Sequence, residues 1–314
     1  MINIYKTNIE TGILEVIDKP TKGCWINLVK PTEQEIKELS AMVDVDEQLI
    51  RYPLDLAEKA HIDMEDNEIL IVVDAPVTEY NEDKKNYVTM PLGMIIVRDE
   101  IFITVSATKI DVVESVLTNK KVNYIHTDKK SRFIFQLLFG IAQDYIRYLT
   151  YINKDLEEFE KHMEKSMSNK ELLKIMSFEK TMIYFSASVK ANQVVLEKLN
   201  RGKAIKLYEE DEDILEDTLI ENRQAIEMIQ TYSEILNGIT DMFGTIVSNN
   251  LNTVMKILTS ITVIISLPTL ISSFLGMNVD FPFNTSEIGF FSVLFISVLV
   301  TLITALFLKK KDML

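Results

Sequence analysis

The chain has few of the residues that most enzymes and disulfide-bonded proteins use. Among its 314 residues there are one cysteine and three histidines. A single cysteine, Cys24, excludes an intrachain disulfide, which is typical of proteins in a reducing compartment. The histidines, His61, His126 and His162, are far apart in sequence, and no glycine-rich phosphate loop accompanies them. These absences argue against a hydrolase or a nucleotide-driven pump, so we expect no enzyme.

Two segments late in the sequence lack ionisable side chains. Residues 257–275 and 288–308 contain none over 19 and 21 positions. A helix rises about 1.5 Å per residue, so each segment is long enough to cross a hydrocarbon core about 30 Å thick. The sequence therefore predicts two membrane-spanning helices.

The positive charges around these segments indicate an orientation. Lys256 precedes the first segment and Lys309, Lys310 and Lys311 follow the second, whereas the connecting loop, residues 276–287, has no lysine or arginine. By the positive-inside rule, both termini are expected in the cytoplasm. The first ten residues lack the basic stretch and apolar core of a cleavable signal. We therefore expect a multi-pass protein of the plasma (inner) membrane whose N-terminal region is not exported.

Residues 1–255 are strongly acidic. They contain 29 lysines and arginines against 44 aspartates and glutamates, a net charge of −15. Such a surface repels nucleic acid and anionic headgroups and attracts cations, so no nucleic-acid partner is expected. Solubility alone also accounts for this charge, and the composition leaves the two interpretations open.

The first 128 residues mix β-rich runs with helical patterns. Six runs rich in β-branched and aromatic residues are predicted to be strands. They are residues 2–7, 13–18, 24–29, 68–77, 93–99 and 101–108. Residues 32–43 have helical periodicity after Pro31, and the short connections between the later strands favour antiparallel pairing. The sequence predicts a cytoplasmic α/β domain over residues 1–128.

Helical patterns replace the strand signal over residues 129–250. Ser168 and Glu171 form a capping box before one long helix. A later helical pattern begins near Tyr208 and has no proline until Pro268, which predicts a helical stalk continuous with the first membrane helix.

The resulting fold class is an α+β membrane protein. Its transmembrane domain is predicted over residues 251–314, with helices at about 251–275 and 288–308 joined by an outer loop, 276–287.

Two stripes of residues run along the predicted stalk helix. The apolar stripe needs a partner helix or a neighbouring subunit to cover it; it consists of Leu215, Leu219, Ile226, Ile229, Leu236, Ile239, Phe243 and Ile246. The polar stripe alternates spacings of four and three residues; it consists of Asp241, Thr245, Ser248, Asn252, Met255, Thr259, Thr262, Ser266, Thr269, Ser273 and Gly276. Small residues in a membrane helix commonly serve tight helix packing. Because this stripe runs from a carboxylate to the end of the span, we favour the lining of a polar path.

Two groups of carboxylates are candidate cation sites. The larger group lies at the start of the stalk; it consists of Glu209, Glu210, Asp211, Glu212, Asp213, Glu216 and Asp217. Such a run is typically a solvated surface, but in an oligomer the carboxylates of neighbouring subunits would converge and bind divalent ions. The smaller group is His61, Asp63, Glu65 and Asp66, for which a polar turn before a strand is the interpretation we favour.

The segment "NTVMKILTSITVIISLPTLISSFLGMN", residues 252–278, is followed by a short loop, a second apolar segment and three lysines. This layout resembles the CorA family of magnesium transport proteins. The positions that carry the resemblance are Asn252, Met255, Lys256, Leu258, Thr259, Pro268, Thr269 and the tripeptide Gly276-Met277-Asn278. The resemblance implies a homopentameric channel with a funnel-shaped cytoplasmic domain, one pore-lining helix per subunit and an outer ring of second helices.

The resemblance also implies roles for single residues. Gly276, Met277 and Asn278 would form the selectivity filter, and Asp217, together with Asp213, would belong to a regulatory metal site between subunits. The pore lining, with the polar stripe added to the family's positions, is expected to be Asp241, Asn252, Met255, Leu258, Thr262, Ser266, Thr269 and Ser273. The sequence departs from the family pattern in two places. It has "VDFPFNTSE" after the tripeptide where many members have "MPEL", and it has Ser266 and Ser273 where relatives often carry Met and Gly.

Magnesium is the expected cargo and the expected regulatory ion. It dehydrates reluctantly, so neutral oxygens suit the hydrated ion better than carboxylates that displace its water. A ring of Asn278 amide oxygens would accept hydrogen bonds from that water, and Met255 with Leu258 would form an apolar constriction that closes by dewetting. The predicted function is magnesium influx gated by cytosolic magnesium. Zinc, cobalt or nickel transport, and a membrane-anchored oligomeric sensor or scaffold without transport, are the alternatives.

Overall fold

The computed structural model describes residues 2–313 except 66, 82–83, 119–124, 164–168, 203 and 278–286. The chain divides into two compact units, residues 1–238 and residues 239–314. Each unit is described by itself below.

The first unit is built on a mixed sheet. Within the described residues it has seven strands: β1 Ile2–Thr7, β2 Leu14–Val16, β3 Trp25–Val29, β4 His61–Glu65, β5 Glu68–Asn81, β6 Lys84–Val97 and β7 Ile101–Ser106. Their order in the sheet is β2-β1-β3-β7-β6-β5-β4. Only the pairing of β3 with β7 is parallel among these strands. The expected preference for antiparallel pairing is therefore confirmed.

Helices alternate with and follow the strands. The described helices are α1 Glu33–Val43, α2 Glu47–Arg51, α3 Asp111–Thr118, α4 Lys130–Met163, α5 Asn169–Asn200, α6 Glu209–Leu275 and α7 Glu287–Lys310. Helix α1 begins where the sequence predicted it. The Thr32 hydroxyl accepts from the backbone N–H of Glu35, and the Glu35 carboxylate accepts from the backbone N–H of Thr32. This reciprocal capping box fixes the first turn of α1.

Helices cover both faces of the sheet. On one face, Ile36 and Leu39 of α1 and Ile50 of α2 join an apolar cluster with residues of the central strands. On the other face, Phe133 of α4 makes edge-to-face contacts with Trp25 of β3 and Phe102 of β7, whose ring centroids are 5.0 and 5.1 Å away. Burial of large apolar and aromatic side chains on both faces holds the three layers together.

The polar turn predicted at residues 61–66 is wrong for its described part. Residues His61–Glu65 form strand β4, which pairs antiparallel with β5 at the edge of the sheet. Charged residues are common on edge strands because they discourage pairing with another chain. The local composition of these residues is typical of a turn. They form a strand because β5 supplies the backbone hydrogen bonds. Asp66, and Ser168 of the predicted capping box, lie outside the described residues.

Helix α6 packs on α5 within the first unit. The side-chain amide of Asn222 donates to the backbone carbonyl of Val189 (3.1 Å) and to Oε1 of Gln193 (2.9 Å). In this unit, Leu215 and Leu219 of the apolar stripe are buried. The chain itself therefore covers this part of the stripe, as expected of an apolar face.

Candidate ion pathway

Helix α6 continues without interruption into the second unit, where it has a packed face and an uncovered face. The packed face recurs at helical spacing, and its buried or half-buried members are Ser260, Val263, Ile264, Leu267, Pro268 and Ile271. In the described part of this unit, α7 is the other helix, and its own buried positions include Gly289, Ser297 and Leu308. Small residues at 289 and 297 allow two membrane helices to approach closely.

The opposite face of α6 carries every described residue of the predicted pore lining. Exposed side chains there are Asp241, Asn252, Met255, Leu258, Thr262, Ser266, Thr269 and Ser273. Met255 is 52% exposed and Leu258 is 56% exposed, so this chain by itself leaves both apolar side chains uncovered. The structure thus brings the predicted residues onto one unpartnered face, because their alternating spacing matches the helical period.

Several hydroxyl groups along this face donate their protons to backbone carbonyls of α6. Thr259 donates to the Met255 carbonyl at 2.8 Å, Thr262 donates to the Leu258 carbonyl at 2.8 Å, and Ser266 donates to the Val263 carbonyl at 3.0 Å. A hydroxyl has one proton and two lone pairs. These oxygens therefore offer acceptor positions away from the helix, and the hydrogens of a cation's hydration water are their natural donors.

Pro268 removes one backbone donor inside this span. Proline has no N–H for the carbonyl four residues earlier, which is that of Ile264. Ser266 and Thr269 donate to the carbonyls on either side, Val263 (3.0 Å) and Ile265 (3.2 Å). Serine and threonine hydroxyls are among the groups that make proline tolerable in a membrane helix.

The helix ends at the predicted filter. The last helical residue is Leu275, and the N–H of Gly276 donates to the Ser272 carbonyl at 2.9 Å. A Cβ at position 276 would lie 3.3 Å from that same carbonyl oxygen, which is a tight contact. Met277 is 52% exposed. Asn278 lies outside the described residues, as does the rest of the loop through residue 286.

The acidic run at the start of α6 does not form one patch. Asp211 is buried, with Oδ1 3.7 Å from Nε of Arg132, and Glu210 lies 3.3 Å from Nη1 of the same arginine. Burial raises the pKa of Asp211, and the Arg132 guanidinium opposes that rise. Asp213 and Asp217 are exposed one turn apart on the same face of α6. The run therefore separates into carboxylates paired within the chain and carboxylates that face outward.

No complete metal site is formed by the described residues of one chain. Among them no group of three or more histidine, cysteine, aspartate or glutamate side chains is placed to hold an ion. Asp213 and Asp217 supply two carboxylates and would need further oxygens from elsewhere. In β4, His61 Nδ1 lies 2.8 Å from the Lys59 carbonyl and 3.5 Å from Glu58, so this ring nitrogen has local partners.

Sequence reasoning missed a partly buried polar cluster in the first unit. Asp144 of α4 lies 2.9 Å from Nη2 of Arg147, which also contacts Asp111 of α3 at 3.1 Å. The hydroxyl of Tyr148 donates to Asp111 at 2.8 Å. Asp111 and Asp144 are distant in sequence, and no local pattern indicates that they meet.

Two helices of the described chain are long and apolar enough to cross a membrane, by length and composition. They are Glu209–Phe274 and Gly289–Lys310. Only 6% and 11% of their most apolar stretches are buried. Such exposure is unlike that of a core helix in a water-soluble protein, whose apolar surface is covered.

The chain is similar to known proteins over most of its length. The sequence model of the CorA-like Mg2+ transporter protein family matches residues 21–310. The cobalt/magnesium transport protein CorA of Methanocaldococcus jannaschii is 26% identical over 299 residues, which cover 94% of this chain and 92% of the relative. The magnesium transport protein CorA of Helicobacter pylori (strain J99) is 23% identical, covering 91% and 89%. The complete structure of the Methanocaldococcus jannaschii magnesium transporter superposes with a TM-score of 0.83 over 98% of this chain and 96% of that chain, at 25% identity.

Proposed function

Because this chain belongs to the CorA-like Mg2+ transporter protein family, we propose that it forms a channel through which magnesium enters the cell. It is a membrane transport protein for divalent cations and not an enzyme. The observation that supports a pore is the uncovered polar face of α6, which continues from Asp241 to Ser273 on a helix able to span a bilayer.

The pore is made by several copies of the chain. The hydroxyl oxygens of the stripe keep free acceptor positions, and polar groups are costly in hydrocarbon, so contact with water is favoured over contact with lipid. A ring of copies turns the stripe toward a shared aqueous path, with α7 outside it. We propose five copies, as the resemblance to the CorA family implies, with residues 129–250 as stalk and 251–314 as membrane domain.

The orientation follows from the basic residues. Lys256 lies at the start of the first span, and Lys309 and Lys310 end α7. Positive charges are retained on the cytoplasmic side. Both termini are therefore cytoplasmic, Asp241 lies near the cytoplasmic mouth, and the Gly276-Met277-Asn278 filter lies at the outer mouth.

The ion passes with its hydration water. The hydroxyl oxygens of Thr259, Thr262 and Ser266, which donate their protons to backbone carbonyls, accept hydrogen bonds from that water. Asn278 adds a ring of amide oxygens at the outer end. Met255 and Leu258 interrupt this column of acceptors with apolar side chains. A narrow apolar ring excludes water and with it the ion, so these residues form the gate.

Cytosolic magnesium closes the channel. Asp213 and Asp217 face outward from α6, so in a ring of copies they approach a neighbouring subunit. Magnesium bound between subunits offsets their mutual repulsion and favours the closed arrangement. Cobalt is the second candidate cargo, because the Methanocaldococcus jannaschii relative is named for cobalt as well as magnesium.

The filter is tested with Asn278→Ala in protein reconstituted into liposomes. We expect magnesium uptake to fall to background while the oligomer keeps its size, because the change removes the proposed ring of amide oxygens and leaves the helices unaltered. Asn284→Ala, which removes an amide from the same loop, is the matched control and should transport normally.

Two results would contradict this proposal. Normal uptake by Asn278→Ala would place the filter elsewhere. No divalent uptake by the unaltered protein would support the scaffold interpretation instead.

A further inference from the structure

The turn that follows α7 has a complete set of capping hydrogen bonds. The N–H of Met313 donates to the Leu308 carbonyl at 3.1 Å, and the N–H of Asp312 donates to the Lys309 carbonyl at 3.2 Å. Asp312 itself adopts a left-handed backbone conformation, with a φ of 55°. These features together are a Schellman motif, so residues 311–313 have a defined geometry.

Ser260 of α6 binds this turn. Its hydroxyl donates to the backbone carbonyl of Met313 at 2.7 Å, and the side chain is 0% exposed. By contrast, Thr259 and Thr262 donate to carbonyls of their own helix. The Ser260 bond therefore joins α6 to a segment 53 positions later in the sequence.

The bond lies behind the proposed gate. Successive residues of an α-helix are about 100° apart, so Ser260 is about 140° from Met255 and about 160° from Leu258 around the axis of α6. Helix Cα atoms lie about 2.3 Å from the axis, so a rotation of about 30° moves a side chain by more than 1 Å. That displacement breaks a bond of 2.7 Å, because hydrogen bonds weaken steeply beyond about 3.2 Å.

We propose that residues 311–313 are a latch that fixes the rotational setting of α6 at the gate, with Ser260 as the positioning residue. The latch rests on the proposed function, because Met255 and Leu258 are taken as the gate and the leak test uses internal magnesium to close the channel. While the bond is made, both side chains stay on the face away from α7. When it is lost, α6 turns more freely, the apolar side chains leave the pore axis, and the closed gate leaks.

The first test is the leak of the closed channel. Full-length protein is reconstituted into liposomes preloaded with magnesium, and uptake of isotopically labelled magnesium is measured. Interhelical hydrogen bonds in membranes correspond to a change of about three- to tenfold in an equilibrium, so Ser260→Ala should raise the leak by about that factor. Thr253→Val is the control, because the Thr253 hydroxyl donates within its own helix, to Asn249 at 2.9 Å.

A second set of variants breaks the latch from its other side. Asp312→Val puts a β-branched residue at a left-handed position that it strongly disfavours, while Asp312→Asn removes the charge and tolerates that backbone. Asp312→Val should raise the leak as Ser260→Ala does, and Asp312→Asn should not. The double variant with Ser260→Ala and Asp312→Val should leak no more than either single one, because both remove the same contact.

A structural measurement separates the latch from the proposed function. Met313→Cys is labelled with a water-soluble maleimide, and the native Cys24, which is 0% exposed, gives little background. Adding Ser260→Ala should speed labelling by about three- to tenfold, on the same energetic grounds. Unchanged labelling overturns the latch even if the channel transports. Faster labelling with an unchanged leak also overturns it, because the turn then does not set the gate, whereas absence of transport in the unaltered protein defeats the proposed function alone.

Discussion

At the scale of residues, burial and the ion pair with Arg147 have opposite effects on the pKa of Asp144. This carboxyl is 8% exposed and lies beside Arg147, which is shared with Asp111. Burial raises the pKa of Asp144 to about 6, the nearby Asp111 adds to the rise, and Arg147 opposes it. Desolvation prevails because Arg147 is half-exposed and divides its charge between two carboxylates.

We predict that stability depends on pH through Asp144. Its pKa is raised from 3.8 to about 6 on folding, so the folded state binds the proton more tightly. Its favourable contribution is complete below about pH 4 and is lost as the pH rises through 6, a loss on the order of 2 kcal/mol. Asp144→Asn mimics the protonated group. It should reduce the difference between unfolding midpoints in denaturant at pH 5 and at pH 7.5.

The matched control is Asp155→Asn, the same substitution in the same helix at a half-buried position. It should leave the pH dependence unchanged. If Asp144→Asn keeps the full pH dependence, another group is responsible and the Asp144 assignment is wrong.

At the scale of elements, α6 contains glycine where a side chain has room. A Cβ added at Gly244 meets nothing within 4 Å in this chain. Alanine is favoured over glycine in a helix interior by about 1 kcal/mol. We therefore expect Gly244→Ala to raise the thermal midpoint of the protein in detergent.

Gly140 of α4 is the contrasting position. A Cβ there would lie 2.3 Å from Cγ2 of Val112, a short and stiff side chain. Gly140→Ala should lower the thermal midpoint, although it improves helix propensity equally. A lower midpoint for Gly244→Ala as well would contradict the first expectation and would indicate that another copy of the chain approaches α6 at that position.

At the scale of the whole molecule, the regulatory proposal depends on contacts between copies. Asp217→Lys should weaken the response to cytosolic magnesium, because a tethered positive charge replaces the ion and offsets the repulsion permanently. Transport itself should remain. The measurements are uptake and protease digestion, each with magnesium and with a chelator.

Glu212→Lys is the control for that experiment. It makes the same change of charge at an exposed position about 140° away around α6, so its magnesium response should be retained. In the unaltered protein, digestion should be slow with magnesium and fast with chelator. Equal rates in both conditions would mean that Asp217 belongs to an ordinary solvated surface.

Several features were determined by the sequence alone. The two apolar segments, the long uninterrupted α6 and the polar face of that helix depend on hydropathy and helical spacing within one stretch of chain. The α1 capping box was also predictable, because its two partners, Thr32 and Glu35, are three residues apart.

Tertiary structure decided the features that join distant residues. Residues 61–65 form strand β4 because β5 pairs with them. Glu210 and Asp211 differ from the other carboxylates of the acidic run because they form ion pairs with Arg132 of α4. The bond from Ser260 to Met313 likewise joins α6 to the turn after α7. No local pattern encodes such contacts, because each depends on where folding places a second segment. Hydropathy and spacing thus predicted the residues of the proposed ion pathway, and the packing of α6 decided which of its faces stays uncovered.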